Sequence, residues 1–192
     1  MRAIKTTTIS ILAIGLLAGS AVGVAAQDEE AEAEAASGSS YFTGTFTAAW
    51  PPVDEGTETM GSDGFSITRG MVLAEEAIET SDPRVSGSLS RVLNFDVHTL
   101  AEKEKGPEFL EHFAEAWRLE NEGGSWTGLG TGFIHAGAVD EPTDLVTVLL
   151  TGEGGYEGLT AYVFVDATQD PIAVEGGVFT GEAVPAPDLP AE

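Results

Sequence analysis

The chain has no cysteine, and it carries only eight Lys and Arg against 32 Asp and Glu. Without cysteine there can be no disulfide, no thiolate metal site and no sulfur nucleophile. The fold must therefore rest on its own apolar core, for which a 42% hydrophobic content is adequate. The shortage of positive charge excludes whole classes of partner. A net charge of −24 leaves no basic patch to neutralise phosphates, so nucleic acid is not expected, and anionic membrane surfaces repel such a chain.

Signatures of familiar chemistry are missing too. The sequence has no G-x-S-x-G elbow, no H-E-x-x-H and no G-x-x-x-x-G-K-S/T loop. Gly128, Gly130 and Gly132 form a G-x-G-x-G run, but the spacing is wrong for a dinucleotide fingerprint and no βαβ pattern surrounds it. The three histidines, His98, His112 and His135, are far apart and read as dispersed surface residues rather than zinc ligands. Asp54-Glu55 and Asp140-Glu141 with Asp144 do not follow the EF-hand order and read as solvated loops. No metal, no cofactor and no catalytic residue is expected.

What is present begins at the N-terminus. Arg2 and Lys5 precede an apolar run from Ile9 to Val24, then small residues, then the acidic Gln27-Asp28-Glu29-Glu30. That order is the pattern of a cleavable signal peptide, residues 1–26. It implies a secreted or periplasmic chain, starting at Gln27 and not inserted in a membrane. Loss of Arg2 and Lys5 would leave six basic residues against 32 acidic ones, a formal charge of −26. So acidic a surface, with few Lys, suits a salty medium that screens its self-repulsion. Residues 27–40 contain no large apolar side chain and read as a disordered acidic leader. Residues 182–192 hold three prolines and read as an extended tail.

Between them lies one domain, 41–181, in which β-branched and aromatic stretches alternate with Gly, Pro and Asp. The pattern predicts eight strands, at 41–50, 65–79, 84–98, 114–121, 125–137, 143–153, 156–166 and 172–180. Pro107 with Phe109, Leu110 and Phe113 predicts a short helical turn over 107–112. Glu122-Gly123-Gly124 reads as a hairpin tip. The expected architecture is all-β: an eight-stranded antiparallel barrel with at most one short helix.

One internal echo stands out. Gly124-Ser125-Trp126-Thr127-Gly128-Leu129 returns as Gly154-Gly155-Tyr156-Glu157-Gly158-Leu159, the shared pattern being G-x-aromatic-x-G-L. On a strand this puts ring and glycines on one face, where the ring covers bare backbone. The second copy, within Thr151 to Tyr162, resembles the glycine-aromatic strand pair of the allene oxide cyclase and dirigent type of barrel. Segments 81–87 (SDPRVSG), 121–126 (NEGGSW) and 152–164 (GEGGYEGLTAYVF) resemble secreted bacterial proteins of unassigned function. The resemblance implies an architecture; the plant enzymes' active-site residues find no counterparts here, so no activity is implied.

Two functions remain. One is a non-enzymatic binding or envelope-associated module for a small apolar ligand. The other is an isomerase or cyclase, or a dirigent-like guide, that moulds a small apolar substrate inside the barrel. If the interior is open, Trp117 and Tyr162 are its wall residues, and Arg118 with Glu120 is its polar end. The plainer reading of Arg118 is a surface ion pair with Glu120 or another neighbour.

Overall fold

The structure is a computed structural model that describes residues 38–61, 64–104 and 106–182. The expected signal peptide, most of the leader and the tail beyond Glu182 lie outside the described residues.

Nine strands follow one another: β1 (Ser40–Thr47), β2 (Thr57–Met60), β3 (Phe65–Thr80), β4 (Gly87–Lys103), β5 (Gly106–Asn121), β6 (Gly124–Gly137), β7 (Thr143–Gly154), β8 (Leu159–Asp166) and β9 (Ile172–Thr180). A 3-10 turn, Pro83–Val85, sits between β3 and β4. All pairings between strands are antiparallel, and the sheet runs β1-β9-β8-β7-β6-β5-β4-β3-β2. β1 also pairs with the end of β3, over Gly44–Thr47 and Ala77–Thr80, which brings the sheet round into a ring. The N-terminal part of β3 pairs instead with β2.

Two expectations are corrected. β2 was not foreseen: its sequence, TETM, is exposed throughout and has no apolar alternation to betray it. The helical turn over 107–112 is absent. Those residues extend β5, with β4 on one side and β6 on the other. Pro107 is compatible with a first helical turn, but two strand partners satisfy far more backbone groups than one turn would.

Period-two alternation places the core. In β5, Phe113, Glu115, Trp117 and Leu119 are buried while the residues between them are exposed. Their partners on β6 are Gly132, Gly130, Gly128 and Trp126. The G-x-G-x-G run is therefore a row of missing side chains opposite three bulky ones. A Cβ at Gly132 would lie 2.0 Å from Phe113 Cζ, and one at Gly130 would lie 3.1 Å from Glu115 Oε1. At Gly128 the obstacle is backbone, Leu149 O at 1.9 Å. β3 keeps its phase by another device. Register shifts after Thr68 and after Leu73, with Gly70 and Glu75 at positive φ, bring Thr68, Leu73, Glu76 and Ile78 all to the interior.

One end of the ring is plugged, and the three segments that carried the resemblance meet there. Trp126 is fully buried, donates from Nε1 to Arg84 O at 2.7 Å and stacks on Tyr156 at 5.1 Å. Tyr156 donates to Asn121 Oδ1 at 2.6 Å, and Asn121 Nδ2 in turn donates to Ser86 O at 2.7 Å. Arg84 pairs with Asp82 at 2.7 Å and donates to Gly38 O, tying in the start of β1. Burial raises the Asp82 pKa, but the Arg84 and Ser40 hydrogen bonds outweigh it and hold the carboxyl below its ordinary value.

The two copies of the glycine-aromatic echo are thus not equivalent. The first is a strand. The second is a turn between β7 and β8, with Gly154 at φ 68° and Gly158 at φ 82°, so β8 begins at Leu159 rather than at 156. The prediction that follows separates the glycines by mechanism. Gly132→Ala and Gly128→Ala should each lower stability by about 1–3 kcal/mol, through crowding. Gly158→Val should also destabilise, but nothing lies within 4 Å of its Cβ, so the cause is backbone strain. Gly158→Asn should then recover most of the loss, because Asn tolerates that region. Equal losses for Val and Asn in urea unfolding would contradict this.

Candidate functional site

Toward the other end of the ring the interior is not filled. A part-open cavity of about 210 Å³ remains. Its walls are mostly apolar, with Phe46 from β1, Phe113 and Trp117 from β5, Ile134 from β6, Val146 from β7 and Ile172 from β9. Three ionisable side chains also line it: Arg91, Glu111 and Asp144.

Arg91 sits on the inward phase of β4, between Leu89 and Leu93. Its guanidinium donates Nε to Glu76 Oε2 at 2.6 Å, Nη2 to Glu76 Oε1 at 2.8 Å and Nη1 to Glu115 Oε2 at 2.9 Å. It lies 5.1 Å from the centroid of Phe46 and 5.9 Å from that of Trp117, within cation–π range of both. Both carboxylate side chains are 0% exposed and the guanidinium side chain 11%, so this is a buried triad. Burial alone would lower the Arg91 pKa, but the Glu76 hydrogen bonds and the two carboxylate charges raise it on balance. Burial raises Glu115, and Arg91 only partly offsets that. The Trp117 indole also lowers the Glu115 pKa, but the two form no aligned hydrogen bond: Trp117 Nε1 and Glu115 Oε1 are both buried without a hydrogen-bond partner.

Glu111 and Asp144 belong to one inward-facing row. Glu111 on β5 pairs with Ile134 on β6, and Ile134 pairs with Asp144 on β7. Burial, and then the charge of Asp144, push Glu111 up to about 7. Asp144 is raised by its own burial, with Asp166 adding to the shift and Arg91 opposing it.

The residues expected to form the site divide between the two faces. Trp117 is 3% exposed and lines the cavity. Arg118 and Glu120 occupy the alternate, outward phase of β5, where Arg118 Nε donates to Glu120 Oε1 at 2.9 Å in the open. Tyr162 is 47% exposed on the outside of β8. These three therefore cannot line the interior, because alternation turns them away from it. The ionisable groups at and behind the cavity wall are Arg91, Glu76, Glu115, Glu111 and Asp144, none of which stood out in the sequence among so many carboxylates. A signal did exist. In Leu89-x-Arg91-x-Leu93 and Phe113-x-Glu115-x-Trp117 a charged residue takes an apolar phase, which a surface charge would not do.

The histidines stay apart. His98 lies against the Phe65 ring, His112 is near Thr131 Oγ1 at 3.3 Å, and His135 contacts Glu108 Oε1 at 2.8 Å. Among the described residues no three His, Asp or Glu side chains converge as a metal site would require. No protein-family model, no curated protein and no solved structure matches this chain.

Proposed function

We propose that the ring is an eight-stranded barrel of the allene oxide cyclase and dirigent type, with β2 appended, and that the protein is a secreted, non-enzymatic module that binds a small, largely apolar ligand inside it. The cavity carries this reading: aromatic and aliphatic walls with a few convergent polar groups are what small-molecule sites are made of. At about 210 Å³ it is smaller than the ~300–1,000 Å³ of drug-sized pockets. Its occupant is accordingly compact.

Trp117 in the cavity wall provides the readout. Titration with small cyclic hydrocarbons and alcohols should shift tryptophan emission saturably, at one ligand per chain. Trp117→Phe should remove the shift, and Val146→Phe, which fills the cavity, should weaken binding at least tenfold. Absence of saturable binding across the series would refute the proposal. The isomerase or cyclase reading draws on one observation, the Glu111 carboxyl held near 7 beside an apolar cavity, where it can both donate and accept a proton. It would require turnover that Glu111→Gln abolishes while binding persists.

A further inference from the structure

The charges around the cavity are unbalanced. One guanidinium, Arg91, lines it with two carboxylates, Glu111 and Asp144, and is itself paired with two more behind the wall, Glu76 and Glu115. Arg91 is already committed, with three hydrogen bonds to Glu76 and Glu115 and two aromatic faces against it. It has little to offer an incoming anion. Glu111 and Asp144, by contrast, make no side-chain hydrogen bond and no ion pair among the described residues, although both line the cavity. They flank Ile134 in one inward-facing row. Deeper in, behind the cavity wall, Glu115 Oε1 is buried without a hydrogen-bond partner. Buried acceptors without partners are costly, and what these carboxylates lack is a positive donor.

From this geometry we infer that the ligand is a small apolar monoamine, its ammonium group between Glu111 and Asp144 and its hydrocarbon body against Phe113, Ile134 and Val146. The inference rests on the binding function proposed above and specifies its ligand class. Electrostatics favours this class over its alternatives. An anion would meet unpaired carboxylates inside a protein of net charge −24. A neutral body would leave Glu111 and Asp144 as they are. A bare divalent ion would have to complete its shell with waters and would leave the apolar walls without an occupant.

Binding should also be linked to protons. The charged groups that act on Glu111 and Asp144 are each other, Arg91 from β4, which Glu76 and Glu115 hold, and Asp166 on Asp144 from β8; β1, β6 and β9 contribute apolar Phe46, Ile134 and Ile172. An ammonium favours ionised carboxylates, so its arrival near neutral pH expels the proton that burial had kept on part of the Glu111 population. Affinity should rise from pH 5.5 to pH 8.

The test uses three probes with one hydrocarbon body: cyclohexylmethylamine, cyclohexylmethanol and cyclohexanecarboxylate. Calorimetric titration of the whole protein in about 0.5 M salt suppresses loose attraction to the acidic surface. At pH 8 the amine should bind at least tenfold tighter than the alcohol, with the carboxylate weakest. Titration in two buffers of different ionisation enthalpy should reveal proton release near pH 7. In Glu111→Gln/Asp144→Asn the preference for the amine should vanish. If the alcohol or carboxylate binds as well as the amine, or if the amine's advantage survives in the double variant, the inference fails and the apolar site stands. If none of the three binds the parent protein, the proposed function fails with it. Should the double variant not fold, proton release by the parent decides alone: release supports the inference and its absence overturns it.

Discussion

Arg91→Met is expected to lower stability at neutral pH by about 3–5 kcal/mol, the usual cost of removing one partner from a buried ion pair. Methionine fills much of the space and keeps contact with Phe46 and Trp117, so lost volume is not the main cause. The cause is that Glu76 and Glu115, both 0% exposed, would be left without their cation. The sign of the pH dependence follows. Glu115 already has a raised pKa in the folded state, and losing Arg91 removes the influence that holds it down. A carboxyl with a raised folded pKa binds more protons folded than unfolded, so stability falls as pH rises through the folded pKa. The deficit of Arg91→Met should therefore shrink as the pH is lowered from about 7.5 toward about 5. Combining it with Glu76→Gln and Glu115→Gln should restore much of the loss, since an uncharged core of similar volume carries no stranded charge. Urea unfolding at the two pH values measures all of this. A loss below about 1 kcal/mol that is independent of pH would mean that the triad is not what organises the interior.

Trp126→Ala should be comparably damaging, about 3–5 kcal/mol, as for other large-to-small changes in a core. Trp126 is 0% exposed and stacks on Tyr156, so truncation opens a void at the plugged end. It also strips Arg84 O of its indole donor, although Asn121 Nδ2 still reaches that oxygen at 3.1 Å. Trp126→Phe separates the two effects. It keeps most of the stacking and loses the hydrogen bond, and it should cost about 1–2 kcal/mol. If Phe were as damaging as Ala, the hydrogen bond rather than the packing would be holding the plug. Because the cavity lies toward the opposite end of the ring, Trp126→Phe should leave the emission response of Trp117 to ligand in place.

The strands were largely legible because alternation is a local signal. Runs such as Phe113 to Leu119 and Val146 to Leu150 show their inward phase without any knowledge of partners. The glycine-rich punctuation likewise marked the β5–β6 hairpin at the right residues. Misreadings arose where a local signal competed with a distant one. Pro107 and its apolar followers look like a helix start until β4 and β6 are seen on either side. The bulges of β3 hide its phase, because two register shifts break the alternation that makes a strand recognisable.

The candidate site was far less legible. Trp117 was named as a wall residue, and it lies on the buried phase of β5 with Phe113 and Leu119. Arg118 and Glu120 were grouped with it although neighbours along a strand face opposite ways, and Tyr162 came with the glycine-aromatic segment rather than from its own phase on β8.

What the sequence by itself determined is the inward face of regularly alternating strands such as β5 and β7, the acidity of the chain and the absence of cysteine chemistry, since composition and period two need no partner strand. Only the tertiary structure decided that the ring returns from β1 to β3, that Trp126, Tyr156, Asn121 and Arg84 meet at one end, and that Arg91 lies between Glu76 and Glu115. Those contacts join residues far apart in the chain. Which inward-facing charges meet depends on strand register and on the shear of the closed sheet, and neither is written in any one strand.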